Sequence, residues 1–562
     1  MRYRRGHPLR AAALMAMAMV ALLVGPANLV FAPPAQAATY NINLNLLGVG
    51  TSGIGYSVKS VGTSATGTDL KALVFNSASG GNTYSVTQKA PGTGHGVVSI
   101  SVEVLSAKDA ILMGGGPTIT LSAVTVISPL PGVPAFSVTG KVPVALQLAG
   151  SNTLEYHGVS QGGADPDSDV SAAVFVEGGA RLSITGSGKT PTLNVVSETT
   201  GIGAWNAPCG YIDVDSGTVT VDADGVAMGS YLGNNSGTSS LGGSVSIYGS
   251  AAVSATGRSG IAVDSDSQIY VADNAIVEAY ARLRDGASGS LAESAGVALG
   301  GVPGSRNVAV ELAGGTVTAA ANLDVGSQGV GIGSGQGATA FTLDITGAVV
   351  TATGATGIRN KSTGILLMGG PGIGFLDNEN DEFNTSSIMI YDGEVTATGG
   401  AGAPGVGAAV TDSYTMTDAG EVIITGGSLQ ATGGYGAPGI GSGVGALDAG
   451  ANGVAVSIQE PKVAPGEEKI QATVEAYGGA GGAGIGGPAQ LLGLPLEDRL
   501  YNNMSITGGL VTAIGGPSLG TGSYYSDAAC GAGIGRGYSG NPNSTSYEGD
   551  VEVGATAHKV EA

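Results

Sequence analysis

Cations are scarce in this chain: 22 lysines and arginines stand against 43 aspartates and glutamates. Four of those cations, Arg2, Arg4, Arg5 and Arg10, are clustered at the N-terminus, and without them the formal charge goes from −21 to −25. So acidic a chain repels phosphate backbones, which argues against nucleic acid as a partner. Charged residues of either sign make up only 12% and aromatics 5%, with a single tryptophan. Low charge and positive mean hydropathy argue against disorder, despite 101 glycines. No stretch after the N-terminal apolar run has the length and period of a long helix. The aromatic signatures and four-strand hairpin blades of a propeller are missing as well.

What is present begins with export. The basic cluster is followed by an apolar run from Ala11 through Phe31, broken at Gly25-Pro26, and then by Ala35-Gln36-Ala37, a small-x-small cleavage signal. Residues 1–37 therefore read as a secretory signal peptide, the alternative being an uncleaved anchor. The expected location is secreted or cell-surface, with no membrane span once the signal is removed.

The body of the chain is organised around a short unit, seen most clearly from Glu421 to Gly443 (EVIITGGSLQATGGYGAPGIGSG). Three apolar segments, Val422–Ile424, Ser428–Ala431 and Pro438–Gly441, are separated by residues that tolerate positive φ, so the unit reads as three strands and two corners. The middle segment returns at Thr218–Val221, Ala252–Ala255, Ile276–Ala279, Thr316–Ala319, Val349–Ala352, Glu394–Ala397, Thr473–Ala476 and Leu510–Ala513. Its spacing varies from 24 residues (Ala252 to Ile276) to 45 (Val349 to Glu394) while its length hardly changes, which places insertions at the corners. Within each copy an apolar residue alternates with Thr, Ser or Glu, one face inward and one to solvent. The third segment (Val330 and Ile332, Val406, Ile440, Ile485, Ile534) looks like a tight corner that contributes one side chain to the core.

The expected fold is all-β: a right-handed parallel β-helix (solenoid) with one three-stranded coil per repeat, the hand following from chain chirality. The expected layout is a signal peptide at 1–37, a strand-rich N-terminal cap with the first coils at 38–115, repeats at 116–540, and a tail or the start of a further region at 541–562. Cys209 and Cys530 would lie about 38 Å apart along such a stack at the usual strand spacing, too far for a disulfide.

The sequence from Val144 to Leu154, that from Val176 to Gly186, and the recurring ITGGxxxATGG and GAGIG segments resemble exported bacterial surface proteins of the carbohydrate-binding-domain or adhesin-like type. The resemblance spans roughly Gly94 to Gly537 and implies a right-handed β-helix. Many such proteins end in a sorting signal or cell-wall-binding repeats; here neither an LPxTG-like motif nor a terminal apolar segment is seen, so the expected product is released, held non-covalently, or longer than this chain.

Two function classes follow. One is a non-enzymatic binding or adhesion protein, whose ligand is an extracellular glycan or a host or cell-surface molecule. The alternative is a polysaccharide lyase or glycoside hydrolase acting on acidic glycans. Hydrolysis needs two positioned carboxyls. Gly94-His95-Gly96 copies one motif of the polygalacturonases, but the DD pair of that family is missing and Arg359-Asn360-Lys361 only echoes another of its motifs. A lyase would need carboxylates on Ca²⁺ and a nearby base; Asp213 with Asp215 and Asp222 with Asp224 have the alternation for this, as would any solvated strand face. Asp165, Asp167 and Asp169 form the candidate metal site, for a structural Ca²⁺, with a solvated loop as the plain alternative; Asp377–Glu382 has ligand types without clear spacing. Gly48–Gly53 matches GxGxxG without a following helix, which excludes a dinucleotide site. Trp205, near Tyr211, is either a sugar-stacking ring or packing.

Overall fold

The computed structural model describes residues 38–64, 67–76, 79, 81–88, 96–104, 116–158, 172–205, 207–231, 243–282, 296–321, 329–359, 366–367, 369–377, 385–410, 415–418, 420–443, 446–461, 471–488, 503–518, 531–535, 551–553 and 559–561. Everything in them is strand, turn or loop apart from a 3-10 turn at Leu44–Leu46 and a 3-10 position at Ser79. No helix among them is long and apolar enough to cross a membrane.

The strands form a 22-stranded and a 16-stranded sheet, almost entirely parallel, with two small two-stranded sheets beside them. The unit singled out in the sequence shows how. Its segments are strands at Glu421–Ile424, Ser428–Thr432 and Ile440–Ser442. The first two pair in parallel with the strand Ser387–Thr398 of the preceding repeat, and with Ala455–Ile458 and Thr473–Tyr477 of the next. The third pairs with Val406–Val410 on one side and Ile485–Gly486 on the other. First and second strands thus belong to the larger sheet and third strands to the smaller one. In six repeats the first two strands are one bent strand, as in Tyr211–Ala223, whose register with Ser244–Gly257 shifts at the bend between Val214 and Ser216.

Alternation dictates the packing. Val422, Ile424, Leu429, Ala431 and Ile440 are each at most 1% exposed and join one core that runs through the repeats from Ile42 to Ala513. Each larger aliphatic side chain so buried contributes about 1.5–3 kcal/mol. Between them Glu421, Ser428 and Gln430 face solvent. The parallel register starts with the first strand, Thr39–Asn43, which pairs with Thr83–Thr87. At that end of the smaller sheet Ser52–Gly53, Tyr56–Thr63 and Asp69–Phe75 pair antiparallel, and Tyr40, Tyr56, Phe75 and Tyr84 cluster with ring centroids 4.7–6.4 Å apart.

The third segments are strands, as a three-strand unit requires, but they are not tight corners contributing one side chain each. They make up a sheet of their own, and Thr200–Trp205, Ser259–Val263, Gly296–Gly301 and Gly329–Ser334 are buried along their whole length. Val297, Val330, Leu376, Ala403 and Ala409 form a small cluster separate from the main core. The glycines make this close stacking possible. Gly203, Gly229, Gly300, Gly333, Gly374, Gly407, Gly441, Gly486 and Gly535 occupy one register column, interrupted only by Ala262. At Gly407 φ is +139°, and a Cβ added there would lie 1.9 Å from the Gly441 carbonyl oxygen of the next strand. No other residue type fits that position.

Candidate functional site

First and second strands are joined by short corners: Val214 to Thr218, Val271 to Ile276, Leu312 to Thr316, Ile424 to Ser428. Their outward residues are exposed or half-buried, so the larger sheet offers a long face bent along one line. Three consecutive repeats on it, spanning Tyr211 to Arg282, carry four outward tyrosines. Tyr211 is 42% exposed, and Tyr248, Tyr270 and Tyr280 are half-buried.

The best-organised group lies at the start of this region. Arg181, on the strand Arg181–Ser197, stands directly beside Tyr211 in the next strand, and Asp213 lies two residues further along. The Arg181 Nε donates to Asp213 Oδ2 at 2.6 Å. The carboxylate is almost wholly covered, its side chain 6% exposed against 55% for Arg181. A carboxylate this buried needs such a partner, because its desolvation would otherwise favour the neutral acid. The hydrogen bond that Arg181 donates to Asp213, and the charge of that carboxylate, push the Arg181 pKa further up. Among the described residues no other group hydrogen-bonds or ion-pairs with this guanidinium. Tyr248 is also pushed up, first by burial and then by the charges of Asp213 and Asp215, with Arg181 opposing. The result is a half-exposed cation fixed by a buried anion, with Tyr211 and Tyr248 on the two following strands, a side chain whose orientation is set before any ligand arrives.

Asp222 lies on the same strand beyond the bend, exposed, and accepts a hydrogen bond from Arg282 Nη2. Asp213 and Asp222 therefore do not meet in one groove; each is held by its own arginine. Arg258 pairs with neither. Asp213 is not the solvated side chain that alternation alone suggests, because Arg181 covers it. Asp224 falls past the end of its strand, in a bend.

Trp205 is 7% exposed and packs over Gly225, where an added Cβ would lie 2.7 Å from its ring, so it serves packing and leaves no face for a sugar. Cys209 is a free, buried thiol whose pKa burial pushes up to about 12. Asp165, Asp167 and Asp169 lie outside the described residues, as do Gly94, His95, Asn360, Lys361, Cys530 and most of Asp377–Glu382. The described residues contain no group of three metal-ligating side chains.

Comparison with protein-family models, with curated proteins and with solved structures finds no match.

The sequence reading missed the role of Arg181. Thirty-two residues separate it from Asp213, and only the register between repeats brings them together. Aligning Arg181-Leu182-Ser183-Ile184 under Tyr211-Ile212-Asp213-Val214 would have placed the arginine diagonal to the carboxylate.

Proposed function

We propose that this chain is an exported, right-handed parallel β-helix that binds glycans without cleaving them, on the bent face formed by its first and second strands. The observation that carries the reading is Arg181, fixed by buried Asp213 beside Tyr211 and Tyr248. Sugar recognition calls for these parts: a ring face for the apolar side of a pyranose, and planar side chains that donate to and accept from adjacent hydroxyls. Right-handedness follows from the rule for parallel strands joined by crossovers, and export from the signal-peptide features of residues 1–37. The expected setting is the cell surface or the medium, and the expected partner an extracellular glycan.

Binding is favoured over catalysis for a chemical reason. Asp213 and Asp222, the carboxylates with the best spacing for chemistry, are each neutralised by an arginine. Arg181, the cation nearest Asp213, is held protonated and is a poor base for removing a proton beside a uronate. The test combines a glycan array with a lyase and hydrolase assay in Ca²⁺. Retention of a glycan without cleavage is expected; chain cleavage by the purified protein would overturn the reading.

A further inference from the structure

Asp222 and Arg282 repeat the design of Asp213 and Arg181 on the other side of the bend. Asp222 stands in register with Thr256, and Thr256 with Tyr280, two residues before Arg282. To reach Asp222 the Arg282 side chain lies back across the whole intervening strand, about 9.5 Å at two strand spacings. Only a nearly extended arginine spans that distance, so its guanidinium is laid along the sheet surface and held there. Among the described residues Asp222 is the only group that engages it. Tyr280 is half-buried next to it, and its pKa is raised by burial and by the charge of Glu278.

Both arginine–carboxylate pairs are formally neutral. Of the other charged residues close to them Asp215, Asp224 and Glu278 are negative while Arg258, whose neighbours Gly257 and Ser259 bond to Arg282 and Gly225, is positive, so the balance is acidic. Such surroundings repel uronates and sulfates. The fixed guanidinium donors, with the exposed carboxylate of Asp222 as acceptor, suit the adjacent hydroxyls of a neutral sugar, each of which both donates and accepts. The two carboxylates are nine residues apart on one strand, so they are separated by at most about 30 Å of chain, and by less because the strand bends. We propose that the two pairs are subsites for one neutral oligosaccharide, which crosses the bend between first and second strands and engages Arg181 and Arg282 together. This rests on the glycan-binding reading and names its ligand class.

The experiment measures, by calorimetry, the affinity of the secreted protein for neutral oligosaccharides from disaccharides upward and for oligogalacturonates of equal length. It is repeated on Arg181→Ala and Arg282→Ala, with thermal melts confirming that both fold. Affinity should rise with length for the neutral series. Arg282→Ala should weaken long ligands about tenfold, the loss of roughly one charge-assisted hydrogen bond, and leave the shortest ligands that bind at Arg181 unchanged. Arg181→Ala should weaken both. The acidic series should bind at least tenfold more weakly. If Arg282→Ala binds long oligosaccharides like the parent, or if galacturonates bind as tightly as neutral glycans, this inference fails while glycan binding stands. If no glycan of either kind binds the parent protein, both fail.

Discussion

Replacing Gly407 by alanine tests the packing argument most directly. The new methyl would lie 1.9 Å from the Gly441 oxygen, 2.9 Å from its carbonyl carbon and 3.2 Å from its nitrogen. The obstacle is backbone on the neighbouring strand, so no side-chain rotation relieves it. The two strands would have to separate by more than 1 Å at a point where they are hydrogen-bonded. In addition an L-residue would be forced to φ near +139°, at about 1–3 kcal/mol, and overpacking adds about 1–3 kcal/mol. A destabilisation of about 2–6 kcal/mol follows. In a stack where each repeat leans on its neighbours, it should be concentrated in the repeats on either side. Urea unfolding followed by circular dichroism gives the global change, and hydrogen exchange gives its location. Ala262 is the internal control: it holds the same column with no positive φ, so Ala262→Gly should cost only about 0.5–1 kcal/mol, the usual penalty of glycine within a strand. An unchanged midpoint for Gly407→Ala would refute the reasoning.

The remaining expectations can be checked on the same material. Leu429→Ala should cost about 2–5 kcal/mol, whereas Gln430→Ala, its exposed neighbour on the same strand, should stay within about 0.5 kcal/mol; equal effects in urea melts would contradict the alternation. Tyr84, Tyr248, Tyr280 and Tyr477 all have raised pKa values, the first three chiefly through burial and Tyr477 chiefly through its hydrogen bond to Glu475. The folded state holds these phenol protons more tightly than the unfolded chain, so their contribution to stability is complete below about pH 10 and is lost as pH rises through the raised values. Thermal melts from neutral to strongly alkaline pH, with phenolate absorbance as the second readout, should show that fall and no rise. The Cys209 thiol, with its pKa pushed up to about 12, should resist alkylation in the native protein and react once unfolded; non-reducing peptide mapping should find it unlinked to Cys530.

The strands of the repeat could be read from short periods alone. Val422, Ile424, Leu429 and Ala431 alternate with Ile423, Gln430 and Thr432, and period two leaves little freedom in a chain without long apolar runs. The third segment was legible as a strand of the unit but its extent and burial were not, because its glycines also suggest a tight corner, whereas their function depends on the neighbouring strand: Gly407 is explained only by the oxygen of Gly441. The same limit applied to the site. Asp213 was visible as an alternating carboxylate, but its burial depends on Arg181, one repeat away, and the sequence carries no local mark of that meeting. Trp205 shows the converse, a residue of the right chemistry that the packing over Gly225 withdraws from solvent.

The glycine column also bears on how so repetitive a chain finds its partners. A strand displaced by one residue would set a side chain against a backbone oxygen, so the column fixes the phase of each strand against the next. It does not give a strand an address, because Gly374, Gly407 and Gly441 present the same profile and a slip by a whole repeat would satisfy all of them. The address must lie in what differs between repeats, namely the unequal lengths of chain between successive second strands. Equalising those lengths while leaving every strand untouched would preserve the native strand pairing and still invite pairing with the wrong neighbour during folding.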